Sequence, residues 1–390
     1  KAWALRGARQ RTPRSHGRLP FRRLQPGDSR GTPPSETALY GGQIDFSVNL
    51  FNVFDALLLT YFASAGSTEQ DLKKVLGLPD NYYKMNAFLN SIRGQNATSQ
   101  ELASANRMFL SSELPVRECM KGAFKEEFVP LDFRADPEAA RKTINDWVAA
   151  TTKNNILDFL PRGLIDPDTK LVNAAYFKGL WQSQFLPEST KKDTFYKTPD
   201  TKMNVEMMMQ KGTFNYMESK QLGAHVLELK YKDDQIKMFV ILPPFIAPNA
   251  IHDVIDRLDS DILKEIVSLK SARSREVQLY FPKFAVELEI ELLHHLSQIG
   301  AGEVFSAAGN FSGLVKSGNV RLGSALHKAK VEVNEKGTKA AAATAVVSFR
   351  SARPLDSLVF KCNHPFVYLI YDKIQNAVLF AGVYYSPNKN

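Results

Sequence analysis

The segment 331–350 constrains the fold more than any other part of this 390-residue chain. Val331 and Val333 alternate with polar residues, which is the pattern of a half-buried strand. Gly337 follows, and glycine adopts backbone conformations that other residues rarely tolerate. Beyond it every second side chain is small, so one face of an extended chain would carry only small groups, namely Thr338, Ala340, Ala342 and Thr344. The pattern predicts a strand followed by a segment that fits between two strands without opening a large gap.

A surface helix is the alternative structure for this segment. Residues 340–343 are four consecutive alanines, and alanine has the highest helix propensity. The residues that follow, Ala345–Phe349, are strand-like, and no apolar stripe of helical period crosses the segment. These residues alone leave both structures open.

Five further motifs decide between the two structures. They are Glu138–Ile156, Leu171–Trp181, Val304–Leu314, Leu326–Ala329 and Phe360–Phe366. Together with 331–350, they resemble the serpins, a family of serine protease inhibitors in which this segment holds the hinge and the reactive loop. A weaker resemblance is to arthropod serpins that regulate proteolytic cascades in haemolymph.

The resemblance implies an α+β fold with a single serpin domain over residues 41–390. This domain would have three β-sheets, eight or nine helices and an exposed reactive loop near the C-terminus. Local patterns agree with a mixed fold. Strands are predicted at 169–181, 203–217, 224–231, 236–243 and 276–286, and helical regions at 101–134, 137–157, 249–269 and 288–299.

One stretch departs from the family pattern, near residues 51–55. Asp45–Phe51 resembles the start of the first serpin helix, and Asp55–Leu59 follows almost directly and resembles the second. Serpins have a strand and a Ser-Pro-x-Ser turn between them, and serines of this turn join a polar cluster under the main sheet. Asn173 and His327 match two other members of that cluster, so we expect both to lack partners, at about 1–3 kcal/mol for each unpaired group. Either a short coding segment is missing or the protein is less stable than its relatives.

Resemblance also assigns the residues that would drive inhibition. The hinge would contain Glu335, Gly337, Thr338, Ala340, Ala342 and Thr344. Lys283 and Glu335 would form a salt bridge near Trp181, where loop insertion starts; two unrelated surface charges are the alternative. A protease that attacks the loop would form an acyl-enzyme, and the freed hinge would enter the main sheet as a new strand.

The bond that the protease cuts is predicted from loop length. Counting from Glu335 along the usual loop places the cut between Ser351 and Ala352. A loop one residue shorter places it between Arg350 and Ser351, and Arg350 would fill a trypsin-type pocket with an acid at its base. We predict Arg350–Ser351 as the reactive bond and keep Ser351–Ala352 as the alternative. Arg353 ranks third because proline follows it.

These assignments predict an extracellular, monomeric inhibitor that forms a covalent complex with a trypsin-like serine protease. A non-inhibitory serpin, acting as a carrier or chaperone, is the competing interpretation, and the small hinge residues argue against it. No phosphate-binding glycine loop, Gly-x-Ser-x-Gly turn or HExxH motif indicates an enzyme, a cofactor or a metal site. Asn96 and Asn310 lie in N-glycosylation patterns. Cys119 and Cys362 are expected to be buried free thiols.

The basic charge of the chain is concentrated in residues 1–40. That stretch contains nine Lys and Arg and two Asp and Glu, whereas the remaining 350 residues carry 41 basic and 39 acidic residues. Its Arg, Pro, Gly and Ser content and lack of apolar periodicity predict a disordered extension. Such a tail could bind a polyanion, which makes a polyanion-binding protein the third candidate function. No signal peptide is visible there, and no apolar run predicts a membrane span.

Overall fold

The computed structural model describes residues 46–80, 101–163, 169–245, 250–317, 320, 322–335 and 357–385. These residues form two compact units, each assembled from separate stretches of the chain. The first unit contains Leu180–Phe284 and the described part of Val333–Asn390. The second unit contains Ser47–Gly179 and Ala285–Glu332. The N-terminal extension 1–40 lies outside the described residues.

Helices and strands alternate irregularly along the chain. The helices of the described residues are α1 (Leu50–Ala63), α2 (Gly66–Val75), α3 (Glu118–Ala123), α4 (Pro137–Thr151), α5 (Ala250–Arg257), α6 (Ser260–Ser268) and α7 (Leu293–Gln298). The strands are β1 (Phe46–Asn49), β2 (Glu101–Ser111), β3 (Phe128–Leu131), β4 (Thr169–Lys178), β5 (Lys191–Tyr196), β6 (Lys202–Ser219), β7 (Ala224–Lys230), β8 (Ile236–Leu242), β9 (Arg273–Pro282), β10 (Phe284–Glu291), β11 (Leu322–Val333), β12 (Leu358–Lys361), β13 (Phe366–Asp372) and β14 (Ala377–Tyr384). The α+β class is therefore confirmed. Within the described residues the strands form two sheets, of nine and five strands.

The first unit contains most of the nine-stranded sheet. Its strands lie in the order β14-β13-β8-β7-β6-β9-β12, with β5 paired to β6, and the division between the units falls within the ninth strand, β1. Strands β8 and β13 are buried along their whole length, which explains their continuous apolar sequences. Helices α5 and α6 bury Val254 and Ile266 in the same core as Phe239 of β8.

The second unit is built on the five-stranded sheet, in the order β10-β11-β4-β2-β3. Strands β4 and β11 are parallel neighbours, and β2 runs antiparallel to β4. Alternate residues of β4 enter different cores, because successive side chains of a strand point to opposite faces. Leu171 packs in a core with Leu57 of α1, whereas Val172 packs in a core with Ile144 of α4.

Local capping explains where the two helices on this sheet begin. The Asn49 side chain accepts a hydrogen bond from the backbone N–H of Asn52 at 2.7 Å, which caps α1. The Asp136 carboxylate caps α4 through Ala139 N–H at 2.9 Å, and Pro137 occupies the first turn, where it costs no hydrogen bond.

Two predicted helices in the first part of the chain are wrong. The residues predicted to open the first helix, 45–51, instead include strand β1, because the Asn49 cap starts the helix only at Leu50. The predicted helical region 101–134 begins with strand β2, whose residues pair with β4 from Glu101 to Phe109. Tertiary pairing overrides the helix propensity of its Leu, Ala and Met residues.

Three later predictions need new boundaries. The predicted helix 249–269 is two helices, because the Asp259 carboxylate accepts from Asp261 N–H and Ile262 N–H and starts α6 separately. The predicted helix 288–299 is helical only in α7, since residues 284–291 form β10 with alternating burial. The strand predicted at 276–286 is correspondingly two strands, β9 and β10.

Candidate sheet-opening site

In the first unit, the chain leaving β11 is anchored by a tryptophan. The indole Nε1 of Trp181 donates to the carbonyl oxygen of Asn334 at 2.9 Å. Trp181 is itself 4% exposed and stacks on Tyr231, with ring centroids 4.3 Å apart. Because the ring is fixed by this stacking, the hydrogen bond holds the residue that directly follows β11.

The next residue, Glu335, is buried and doubly bonded. Its Oε2 lies 3.1 Å from the ammonium of Lys283, and its Oε1 accepts from the hydroxyl of Thr190 at 3.0 Å. Burial raises the pKa of Glu335, but bonds from its own backbone N–H, Lys283 and Thr190 outweigh burial and hold the pKa below its ordinary value. Lys283 and Glu335 therefore form the expected ion pair; their part in loop insertion stays a prediction.

In the second unit, a buried polar cluster joins β4 to β11. Asn173 and His327 are register partners on these strands, both fully buried, and the Asn173 Oδ1 is hydrogen-bonded to the His327 Nδ1. His327 Nε2 lies 3.2 Å from the backbone N–H of Asn49 and accepts its proton, so Nδ1 carries the ring proton. Burial lowers the pKa of His327 to about 3, which keeps the ring neutral.

Helix α1 and strand β2 supply the other members of this cluster. The Asn173 amide donates to the backbone carbonyl of Asn52 and to Oδ1 of Asn106, both at 2.6 Å. The Asn52 side chain in turn donates to the carbonyl of Ala174 at 3.0 Å and accepts from Ser104. The expectation that Asn173 and His327 would lack partners is therefore wrong.

Sequence reasoning missed Asn49, Asn52, Ser104 and Asn106 as members of the cluster. The spacing of Asn49 and Asn52 is typical of a helix cap, since the capping side chain accepts from the backbone N–H three residues later, but it indicates where α1 begins and not the cluster. The two asparagines occupy the role that the resemblance gave to serines of an absent turn.

Residues 50–387 match the family model described as "Serpin (serine protease inhibitor)". The chain belongs to the serpin family. A relative from Drosophila melanogaster, "Serine protease inhibitor 88Ea", is 38% identical and is aligned over 90% of this chain and 91% of its own length. Serpin B3 from Homo sapiens is 36% identical over 75% of this chain and 76% of its own length.

Solved serpin structures share the fold. The crystal structure of uncleaved ovalbumin superposes on this serpin with a TM-score of 0.79 at 26% identity, covering 90% of this chain and 96% of ovalbumin. The family resemblance inferred from the motifs is thus confirmed, and so is the coarse function class, since relatives of this serpin are named as protease inhibitors.

Several predicted residues of this serpin lie outside the described residues. They are Gly337, Thr338, Ala340, Ala342, Thr344, Arg350, Ser351, Ala352 and Asn96. Asn310 is described and exposed, and its Oδ1 accepts from the backbone N–H of Ser312 at 3.0 Å.

Both cysteines are free thiols, but only one is buried. Cys362 is fully buried, and burial raises the pKa of its thiol well above the usual value. Cys119 is exposed on α3, so the expectation that it would be buried is wrong. Among the residues that the structure describes, no three His, Cys, Asp or Glu side chains converge as a metal site would require. In the same residues no helix has the length and apolar character to cross a bilayer.

Proposed function

We propose that this serpin is an extracellular suicide inhibitor of trypsin-like serine proteases. The observation that carries the proposal is the parallel pairing of β4 and β11, here called the β4–β11 seam. A strand formed by the residues after β11, if it folded back, would run antiparallel to β11 and also to β4. It could then pair with both strands if the seam opened.

The expected chemistry begins with an ordinary attack on the reactive loop. The protease serine adds to the carbonyl carbon of Arg350, the bond to the nitrogen of Ser351 breaks, and the new amino terminus takes the proton. Arg350 remains attached to the protease as an ester, which water would normally hydrolyse. Insertion of the freed hinge carries the esterified protease away before hydrolysis is complete.

The driving force is strand insertion. A new strand between β4 and β11 gains main-chain hydrogen bonds on both of its edges. The small residues at alternate hinge positions keep the steric cost low, and no proline between 334 and 353 removes a backbone donor. The uninserted form is then held by a kinetic barrier, which the bonds of Trp181, Glu335 and His327 would maintain until the loop is cut.

Trypsin provides the direct test. The full chain is incubated with bovine trypsin, and the products are separated on a denaturing gel, while mass spectrometry reads the released C-terminal peptide. We expect a complex that survives denaturation and a peptide that starts at Ser351. A peptide that starts at Ala352 would assign the bond to Ser351–Ala352 instead.

Two arginine variants serve as a matched pair for this test. Arg350→Gln should lose complex formation with trypsin, because the specificity pocket would lose its cation, whereas Arg353→Gln should behave as the unmodified chain. Loop cleavage without any complex would contradict the inhibitory proposal and favour a non-inhibitory serpin. Retention on heparin with residues 1–40 deleted, compared with the full chain, tests the polyanion alternative separately.

A further inference from the structure

A cluster of three side chains spans the β4–β11 seam on the face opposite His327. Lys178 and Glu332 are register partners on the two strands, and the Lys178 ammonium lies 2.6 Å from Glu332 Oε1. The hydroxyl of Tyr176, two residues earlier on β4, donates to Glu332 Oε2 at 3.3 Å. Glu332 thus uses both oxygens to hold the neighbouring strand. Tyr176 and Lys178 are two residues apart and therefore lie on one face of β4.

The position of this cluster along the seam gives it a specific role. Glu332 is the last residue of β11 that pairs with β4. Asn334, two residues later, is the first residue after the strand. A strand that enters from this end meets the Lys178–Glu332 pair first. Neighbouring strands lie about 4.8 Å apart, so a strand placed between them moves the two residues to about twice that separation.

We propose that Lys178, Tyr176 and Glu332 form a latch that sets how fast the β4–β11 seam opens. The latch rests on the proposed function only for its effect on inhibition, because opening of the seam can be measured without a protease. Lys178 and Glu332 side chains are 32% and 28% exposed. The pair is therefore screened in part by solvent and should weaken in salt.

The same sheet contains a matched control pair. Lys328 on β11 lies 3.1 Å from Glu287 on β10, with side-chain exposures of 12% and 42%. This ion pair joins β11 to its other neighbour, and these two strands stay adjacent when a strand enters between β4 and β11. Losing it should affect general stability without affecting the opening of the seam.

Uptake of a synthetic peptide measures seam opening directly. A peptide with the sequence of residues 338–350 is added in excess to the full chain, and its incorporation is followed by native electrophoresis and by the rise in thermal unfolding temperature. The chains compared are the unmodified protein, Glu332→Gln, Lys178→Met, their double variant and Glu287→Gln. Near-ultraviolet circular dichroism checks that each variant is folded.

We expect Glu332→Gln and Lys178→Met each to take up the peptide about fivefold faster. This is the rate ratio that results when the barrier is lowered by the free energy of a partly exposed ion pair. The double variant should be no faster than either single variant, because both remove the same interaction. Glu287→Gln should match the unmodified chain, and about 0.5 M salt should speed only chains that keep the latch.

Three results would overturn the latch. The first is equal acceleration in Glu332→Gln and Glu287→Gln, and the second is additive acceleration in the double variant. The third is an unmodified chain that never takes up the peptide, because its seam would then not open. Normal uptake combined with no protease complex would instead count against the inhibitory function and leave the latch supported.

Discussion

Replacing Asp55 by asparagine should change how the stability of the protein depends on pH. Asp55 lies within α1 and is partly buried, and burial raises the pKa of its carboxyl from 3.8 to about 7. His327, in the same unit, has its pKa lowered from 6.5 to about 3 by burial. The two groups therefore respond to acid in opposite directions.

The sign of each contribution follows from which state binds the extra proton. Between about pH 4 and 7 the folded state keeps a proton on Asp55 that the unfolded state has lost, so stability falls as pH rises. Between about pH 3 and 6.5 the unfolded state binds a proton that buried His327 refuses, so stability rises with pH. Each group contributes about 1.4 kcal/mol per pH unit, and the two slopes cancel between about pH 4 and 6.5.

The Asp55→Asn variant removes one of the two slopes. Measured relative to the unmodified chain, its free energy of unfolding should fall by about 2.5 kcal/mol between pH 6.5 and 4.5, since it lacks the proton that the folded state keeps on Asp55. The difference in the free energy of unfolding between the variant and the unmodified chain should shift in favour of the variant by up to about 4 kcal/mol from pH 4 to pH 8. Any cost of burying the new amide is the same at every pH and does not alter this shift.

Urea unfolding at pH 4.5, 5.5, 6.5 and 8, followed by tryptophan fluorescence, measures these differences. Asp146→Asn, at an exposed position of α4, is the matched control and should run parallel to the unmodified chain. Parallel profiles for Asp55→Asn and the unmodified protein would refute the reasoning, because they would mean that Asp55 is ionised in the folded state.

Further substitutions test the contacts of the site. Asn52→Ala should lower the free energy of unfolding by about 1–3 kcal/mol, because the buried carbonyl of Ala174 loses its hydrogen bond, whereas exposed Asn204→Ala should change it little; urea midpoints decide. Trp181→Phe keeps an aromatic ring but removes the indole N–H, so peptide uptake should accelerate about fivefold; an unchanged rate would exclude this bond as a restraint. Lys283→Met leaves Glu335 buried without its cation, and about 1–2 kcal/mol of stability at pH 7 should be lost; a loss that persists at pH 3 would point to packing.

The elements that the sequence predicted well are those whose pattern depends on few distant contacts. Strands β7 and β8 are short, mostly apolar and bounded by turns, so much of their burial is evident from the residues themselves. Helix α4 has a capping aspartate directly before it, and a proline in its first turn and an amphipathic repeat within its own fifteen residues. Because these local signals all favour the same helix, tertiary contacts do not alter the predicted secondary structure.

The failures involve residues whose structure is decided by remote partners. Strand β2 is composed of residues that also suit a helix, and only its nine-residue pairing with β4 makes it a strand. The polar cluster is a stronger case, because Asn49 and His327 are 278 positions apart in the chain. Their contact could not be inferred from spacing, and the family pattern misled, since it gave this role to serines of a turn that the chain lacks.

The two faces of the β4–β11 seam are held by bonds that respond to different solution conditions. On one face, His327 accepts a hydrogen bond only while neutral, and with a pKa of about 3 it is about 99% neutral at pH 5. Mild acid therefore leaves that face unchanged. On the other face, the Lys178–Glu332 pair is partly exposed, so salt weakens it at neutral pH. An ionic surface or a polyanion that competes for Lys178 would act on the same pair. Of these two sets of bonds, only the latch is weakened by a change in solution conditions near neutral pH. The rate of strand insertion should therefore depend on ionic strength rather than on pH.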